Sequence, residues 1–163
     1  MKTKDIAKTG LLLSLSLVLS FVESCIPAFV AVPGIKAGLA NIVVVFALYR
    51  INFKTAFTIS VFRVLIAAVV FGSVISLAYS LSGAVVSLCI MALLKKTSFF
   101  SVVGVSVAGG VMHNVAQIAT ACIILGTDKI LYYIPFLLIG GTVAGILIGT
   151  AGAVVIKRVE GEV

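Results

Sequence analysis

The sequence predicts an all-α integral membrane protein that forms a single transmembrane domain over residues 1–163, with about six helices across the bilayer. Hydrophobic residues make up 62% of the chain and charged residues 10%, and the mean hydropathy is +1.33, far from the balance of a water-soluble domain. Runs of about 20 apolar residues cross a bilayer as helices, because every backbone hydrogen bond is then satisfied internally. The predicted helices cover residues 5–23, 37–51, 54–72, 74–95, 99–126 and 130–156.

The first predicted helix follows a lysine-rich N-terminal segment and in this respect resembles a signal peptide. Glu23, Pro27 and Pro33 form a poor cleavage region behind it, so we expect a retained span. The second and third helices are short and joined by the tight turn 50–54, so one of them is expected to tilt or to stop short of the far surface. Between the first two helices, Pro33 and Gly34 predict an irregular loop that caps an interior cavity, because broken backbone at membrane depth needs protein or water around it.

Most basic residues fall in the tails and loops that the predicted helices place on one side of the membrane. The positive-inside rule therefore predicts that both termini are cytoplasmic, which agrees with an even number of spans. Lys36 and Lys129 fall on the opposite side. The net charge of +7 reflects this topology, and nucleic-acid binding explains it poorly because the basic residues are not gathered with aromatics on one soluble face. The basic residues of the cytoplasmic side are Lys2, Lys4, Lys8, Arg50, Lys54, Lys95, Lys96, Lys157 and Arg158.

Arg63 is the clearest candidate for a functional residue, since it lies in the middle of the third predicted helix. An arginine near the bilayer centre costs several kcal/mol unless it is paired or hydrated. Its side chain should face the bundle interior, with Glu23 as the expected partner and Tyr79 as one source of hydrogen bonds. A buried ion pair that only fixes helix register and a ligand-binding cation are equally open interpretations.

His113, Asn114 and Gln117 form a second polar group in the fifth predicted helix. Their spacing puts His113 and Gln117 on one face with Asn114 close by. Such residues commonly bridge helices inside a membrane, so helix packing explains them at least as well as ligand binding. The preceding pair Gly109 and Gly110 lets a ligand or a backbone approach closely, which favours a site.

The polar side chains of the predicted cavity also indicate the kind of ligand. The negative charge of Glu23 offsets one of the two positive charges of Lys36 and Arg63. The positive charge that remains suits an anionic or zwitterionic small molecule. The amide side chains are expected to set hydrogen-bond specificity, and the histidine is expected to add pH sensitivity. The predicted binding residues are Glu23, Lys36, Asn41, Arg63, Tyr79, His113, Asn114 and Gln117.

No cofactor, metal or catalytic residue is predicted. The three cysteines lie far apart in or beside apolar segments, and the single histidine cannot build a metal site. The chain has no GxSxG, P-loop or HExxH motif, and its two isolated aspartates, Asp5 and Asp128, cannot replace the aspartate-rich clusters of polyprenyl synthases. We therefore expect a protein that is not an enzyme.

The last predicted helix carries a repeated GxxxG pattern at Gly141, Gly145 and Gly149. Small residues at this spacing permit close contact between transmembrane helices. Packing within the bundle is favoured over a homodimer seam, because several helices in a small bundle need close neighbours.

The motifs VPGIK at 32–36, GLAN at 38–41 and HN at 113–114 combine in a way that resembles one bacterial membrane family, and the resemblance runs over nearly the whole chain. That family is labelled both Gx transporter and heptaprenyl diphosphate synthase component I. The other segments that carry the resemblance are Glu23-Ser24, Ile26-Pro27, Ile59-Ser60 with Arg63, Ser80-Leu81-Ser82-Gly83, Gln117 and Tyr132-Tyr133-Ile134-Pro135.

The resemblance implies a fold like that of the S components of energy-coupling factor importers, which bind vitamins or related small molecules between helices beneath a capping first loop. In such importers a small-xxx-small motif on the first helix docks a coupling subunit, and two cytoplasmic ATPases drive uptake. Gly10 and Ser14 supply one such pair here, whereas Val18 breaks its continuation. The resemblance thus implies a binding subunit for small-molecule uptake in the bacterial cytoplasmic membrane, with its coupling partners supplied by other chains.

Two alternatives follow from the same resemblance. The synthase label implies a non-catalytic accessory role in prenyl-quinone metabolism, since the chain lacks the residues that the synthase chemistry needs. Some members of the family are associated with flavin-based electron transfer from membrane quinones, which implies a flavoprotein partner. In that case the region of His113 and Tyr79 is the expected place of quinone contact.

Overall fold

The computed structural model describes residues 3–25, 38–71 and 74–161. Six α-helices and one 3-10 helix account for most of these residues, and no strand occurs among them. The predicted all-α architecture is therefore confirmed. Lys36 and the prolines of the expected capping loop lie outside the described residues. The helices are α1, Thr3–Cys25; α2, Asn41–Arg50; α3, Phe53–Phe71; α4, Val74–Lys96; α5, Val102–Leu125; the 3-10 helix, Lys129–Tyr133; and α6, Ile134–Glu160.

The local sequence explains where α5 and α6 begin and end. Ser101 precedes α5 in an extended conformation, and its hydroxyl accepts a hydrogen bond from the Gly104 amide at 3.2 Å. Gly126 follows α5 in the left-handed conformation with a φ of 61°, which glycine adopts without strain. Pro135 lies in the first turn of α6, where the missing N–H has no intrahelical partner to lose.

Among the described residues, five helices are long and apolar enough to cross a membrane: α1, α3, α4, α5 and α6. Helix α2 is different, because it has 10 residues. At the rise of an α-helix it is about 15 Å long, roughly half the hydrocarbon thickness of a bilayer. The expectation that the second or third helix stops short of the far surface therefore applies to α2.

Helices α2 to α6 form a closed ring. Helix α2 packs against α3, α3 against α4, α4 against α5, α5 against α6, and α6 returns to α2. Helix α1 lies outside this ring and packs against α2 and α3. Its outer face carries exposed apolar side chains such as Leu11, which suit a lipid environment. The largest of the fully buried side chains are Ile59, Leu88, Val44, Val45, Val105 and Ser16.

Two polar contacts establish that α2, α4 and α6 end on the same side of the bundle. Arg50 at the end of α2 forms an ion pair with Glu160 at the end of α6, with 2.7 Å between Nη1 and Oε1. Lys95 at the end of α4 donates a hydrogen bond from Nζ to the Leu48 carbonyl oxygen at 2.7 Å. We call this side the basic end, defined by Arg50, Lys54, Lys95, Lys96, Lys157 and Arg158.

Helix α1 begins at the basic end as well. The Ser16 hydroxyl donates to the Ala40 carbonyl oxygen at 3.4 Å, and Glu23 accepts a hydrogen bond from the Gly38 amide. These contacts place the second half of α1 beside the start of α2, so the two helices run in opposite directions. The first and last helices of the described chain therefore have their outer ends on one side of the bundle.

Helices α5 and α6 pack with their backbones in contact at glycines. A Cβ atom on Gly145 would lie 2.5 Å from the Cα of Val107, and a Cβ atom on Gly141 would lie 2.8 Å from the Gly110 carbonyl oxygen. The two helices reach this separation because no side chain stands between them at these points. The glycines of α6 that face α5 in this way are Gly141, Gly145 and Gly149.

We expect Gly145→Ala to destabilise the protein by about 1–3 kcal/mol, because the added methyl group would overlap a backbone that cannot rotate away as the end of a side chain can. Gly10→Ala is the matched control, since no atom lies within 4 Å of a Cβ atom there and alanine is the better helix former. Unfolding of both variants in detergent tests the prediction. Equal stability of Gly145→Ala and the wild type would contradict it.

Candidate functional site

Arg63 lies where α3 faces the start of α2. Its Nη2 atom donates a hydrogen bond to Oδ1 of Asn41 at 3.2 Å. Its Nε atom is buried and has no hydrogen-bond partner among the described residues. A guanidinium carries several N–H donors in a fixed planar arrangement, and Asn41 satisfies only part of them. Arg63 is therefore a cation in the protein interior with hydrogen-bonding capacity left over.

Glu23, near the end of α1, is held by the backbone of Gly38. The Gly38 amide donates a hydrogen bond to Oε1 of Glu23 at 2.5 Å. Gly38 has a φ of 75°, in the left-handed region that favours glycine. Its carbonyl oxygen accepts a hydrogen bond from the Asn41 amide at 2.8 Å. One short turn, residues 38–41, thus joins the carboxylate of α1 to the start of α2.

Glu23 and Arg63 attract each other electrostatically but do not form a direct ion pair. The hydrogen bonds found for the two groups go to Gly38 and Asn41 instead. Within the part of the chain that the structure describes, the direct ion pair lies at the basic end. The expected contact between carboxylate and guanidinium is therefore replaced by an indirect one through the turn 38–41. We call Glu23, Gly38, Asn41 and Arg63 the Arg63 cluster.

Asn41 and Arg63 lie at the level where α2 begins. That level is about 15 Å from the basic end, near the middle of a hydrocarbon layer of about 30 Å. Arg63 is also about 15 Å along α3 from Phe53. Helix α2 begins at Asn41, so it does not extend into the half of the ring that lies away from the basic end. The side chains of Glu23, Asn41 and Arg63 are each partly exposed.

His113 and Gln117 face α4 across Gly83. A Cβ atom on Gly83 would lie 2.9 Å from Nδ1 and Cε1 of His113 and 3.0 Å from Cγ of Gln117. The lack of a side chain on Gly83 therefore makes room for the imidazole. Nearby, the Thr120 hydroxyl donates to the Ser82 hydroxyl at 2.7 Å. The contact between α4 and α5 is polar at this level.

Asn114 faces α6 rather than α4. Its Nδ2 atom donates a hydrogen bond to the Leu137 carbonyl oxygen at 2.6 Å, and the residue is 8% exposed. The structure thus brings His113 and Gln117 together and directs Asn114 to another neighbour, because adjacent residues on a helix point about 100° apart. The ligand-binding role expected of these three residues stays a prediction.

The other predicted residues are more scattered. Tyr79 is partly exposed on α4, and its carbonyl oxygen accepts a hydrogen bond from the Ser82 hydroxyl at 2.9 Å. Lys36 lies outside the described residues. Gly10 has open space around it, and Ser14 is exposed with its hydroxyl bonded to the Gly10 carbonyl oxygen at 2.9 Å. The ligand-binding and docking roles of all these residues stay predictions.

Sequence reasoning missed the two glycines that shape the site. Gly38 supplies the amide that holds Glu23, and Gly83 leaves the space that His113 occupies. Both glycines lie in motifs that carry the family resemblance, and their place in these motifs was the one feature of the sequence that could have identified them. The linear sequence does not say which side chain packs on a given glycine, so their roles emerge only from the fold.

A family model described as heptaprenyl diphosphate synthase component I matches residues 12–155. The chain belongs to this family. The match to heptaprenyl diphosphate synthase component I extends from α1 into α6, so it includes the Arg63 cluster and the contact across Gly83. The family name describes one component of a synthase and so implies a further component. No curated protein and no solved structure matches the sequence.

We expect Asn114→Ala to lower the stability of the protein by about 0.5–2 kcal/mol, because it removes a hydrogen bond between two transmembrane helices. Small-molecule retention by the folded protein should be unaffected, since the Asn114 amide points to α6. Gln117→Ala is the control, because Gln117 lies on the same helix but faces α4 instead of α6. Thermal unfolding in detergent and mass spectrometry of retained molecules measure the two effects. Loss of a retained molecule at unchanged stability would instead assign Asn114 to the binding site.

Proposed function

We propose that this protein is a membrane-embedded binding subunit that holds a small polar or anionic molecule inside its helix ring and contributes to the uptake of that molecule. The observation that carries the proposal is Arg63, a cation at mid-depth with donors that Asn41 does not satisfy. Ionisable residues inside a membrane are costly and usually mark a substrate or ion pathway. An anionic group of a ligand supplies the compensation that Arg63 lacks.

The half-length helix α2 supports the same proposal. Its N-terminal end carries the positive end of the helix dipole at the level of Arg63. Interrupted helices whose N-termini lie near the membrane centre hold anionic substrate groups in several classes of transporter. The first amides of α2 are already bonded, since Asn41 N–H bonds to Gly38 and Ile42 N–H to Leu39. In this proposal the dipole contributes a field, while Arg63 and Asn41 provide the hydrogen bonds.

Uptake requires partner subunits, which we propose are supplied by other chains: a coupling subunit and ATPases. Helix α1 is the element through which we expect docking, because it lies outside the ring. Its residues Gly10 and Ser14 are uncovered by other helices. Small residues on a transmembrane helix let the backbone of a second helix approach closely.

The family membership favours a second candidate function, a non-catalytic accessory subunit in prenyl-quinone metabolism. The diphosphate of a prenyl precursor is an anion that Arg63 would also attract. Catalysis by this chain is not proposed, since it has five acidic residues in total. Within residues 3–25, 38–71 and 74–161, no group of three or more His, Cys, Asp or Glu side chains is placed to hold a metal ion.

We further propose that the basic end faces the cytoplasm of a bacterial cell, because basic residues accumulate on that side of inner-membrane proteins. A fluorescent protein that matures only in the cytoplasm should fluoresce when fused to the C-terminus. An alkaline phosphatase that is active only outside the cytoplasm should be active when it is inserted between α5 and α6. The reverse pattern of activities would contradict this orientation.

We expect Arg63→Ala to abolish retention of the small molecule while the melting temperature stays close to that of the wild type. Charge-assisted hydrogen bonds contribute roughly 1.5–3 kcal/mol, so the affinity should fall by about tenfold or more. Native mass spectrometry of protein extracted gently from its own membranes measures both the retained molecule and any copurifying subunit. Arg158→Ala, an exposed arginine at the basic end, is the control.

The outcomes separate the interpretations of Arg63. If Arg63→Ala no longer folds, while Arg63→Gln folds and still retains the molecule fully, the charge serves helix packing and the proposed binding role of Arg63 is wrong. A metabolite together with coupling and ATPase subunits would support uptake. A prenyl diphosphate, a quinone or a synthase subunit in its place would support the accessory role.

A further inference from the structure

Glu23 and Arg63 are opposite charges that lie near each other without direct contact. Among the described residues, the other Asp, Glu, Lys and Arg side chains lie at the basic end, in the first turns of α1 or around the 3-10 helix. The two therefore form the interior charges of the described bundle. In a low-dielectric interior such charges gain most from direct contact, so an arrangement that keeps them apart requires a cause.

The separation is built into the turn 38–41. The carboxylate of Glu23 is held at 2.5 Å by the amide of Gly38, and Arg63 is held at 3.2 Å by the side chain of Asn41. Both anchors belong to the same turn, which the hydrogen bond from Asn41 N–H to the Gly38 carbonyl oxygen closes at 2.8 Å. The positions of the two charges are thus set by backbone geometry and not by their mutual attraction.

The turn is also packed from α6, which prevents it from shifting freely. A Cβ atom on Gly38 would lie 2.9 Å from Cδ1 of Ile148 and 3.3 Å from Nδ2 of Asn41. Ile148 is a core residue that is 5% exposed. Groups that are fixed before a ligand arrives bind it with less loss of conformational entropy.

We infer that the Arg63 cluster recognises a zwitterionic small molecule, with its acidic group on Arg63 and its amine on Glu23. A carboxylate or phosphate fits the planar donors of a guanidinium, and an ammonium group fits a carboxylate. Such a molecule brings no net charge into the membrane. An acid that lacks an amine places its negative charge beside Glu23 and gains nothing from that carboxylate. Glu23 is therefore the specificity-determining residue. This inference rests on the binding function proposed above.

The test compares three probes of equal carbon number on the purified full-length protein: 4-aminobutyrate, butyrate and butylamine. Titration calorimetry and thermal shift in detergent measure their binding. We expect 4-aminobutyrate to bind about tenfold or more tightly than either of the others, because it alone makes both charge-assisted contacts. Glu23→Gln, which keeps an oxygen acceptor for the Gly38 amide, should remove this preference and leave butyrate binding unchanged or tighter.

Two controls distinguish the specific effect from a general one. Arg63→Gln should remove binding of both acids. Glu160→Gln changes a carboxylate that pairs with Arg50 at the basic end, and it should leave all three affinities unchanged. The ranking of the probes on the wild type decides the inference even if Glu23→Gln does not fold.

Equal binding of butyrate and 4-aminobutyrate, lost in Arg63→Gln, would overturn the zwitterion inference and leave the proposed binding function intact. Detection by native mass spectrometry of a retained natural molecule that has no amine would also overturn the zwitterion inference and leave the proposed binding function intact. Absence of binding for every probe, together with absence of any retained molecule, would overturn both the inference and the proposed function.

Discussion

A guanidinium half-way through a bundle of membrane helices needs compensation from inside the protein, because lipid chains offer neither water nor counter-charge. The elements around Arg63 supply part of that compensation from three directions. Helix α2 brings the Asn41 side chain, α1 brings the Glu23 carboxylate, and the turn 38–41 ties the two together. The end of α1 and the start of α2 meet at the turn 38–41, where the Gly38 amide bonds Glu23 and the Asn41 side chain bonds Arg63.

The half-length of α2 divides the ring into two parts with different properties. On the side of the basic end, α2 fills the ring with the buried side chains Val44, Val45 and Leu48, and Arg50 and Lys95 fasten it to its neighbours. Helix α2 begins at Asn41 and does not extend into the other half of the ring, where Gly83 of α4 faces His113 and Gln117 of α5. The proposed binding function would place the ligand in this second half.

The glycine contacts between α5 and α6 determine how α5 is rotated. Because the two backbones touch at Gly110 and Gly141, α5 is held so that Asn114 points to α6 while His113 and Gln117 point to α4. Gly83 completes this arrangement by giving the imidazole its space. Packing residues that carry no chemistry thus decide which polar side chains of α5 face which helix.

The sequence by itself determined the membrane class, the number and rough limits of the helices, the shortness of one early helix and the family. It also identified Arg63, because the cost of a charge inside a membrane does not depend on knowing its partner. Only the tertiary structure decided that Arg63 bonds Asn41 and not Glu23, that Asn114 packs against α6, and that Gly38 and Gly83 shape the site. The reason is physical. Helices that are apolar on most faces carry a weak periodic signal, so their rotation and relative depth follow from contacts summed over the whole bundle.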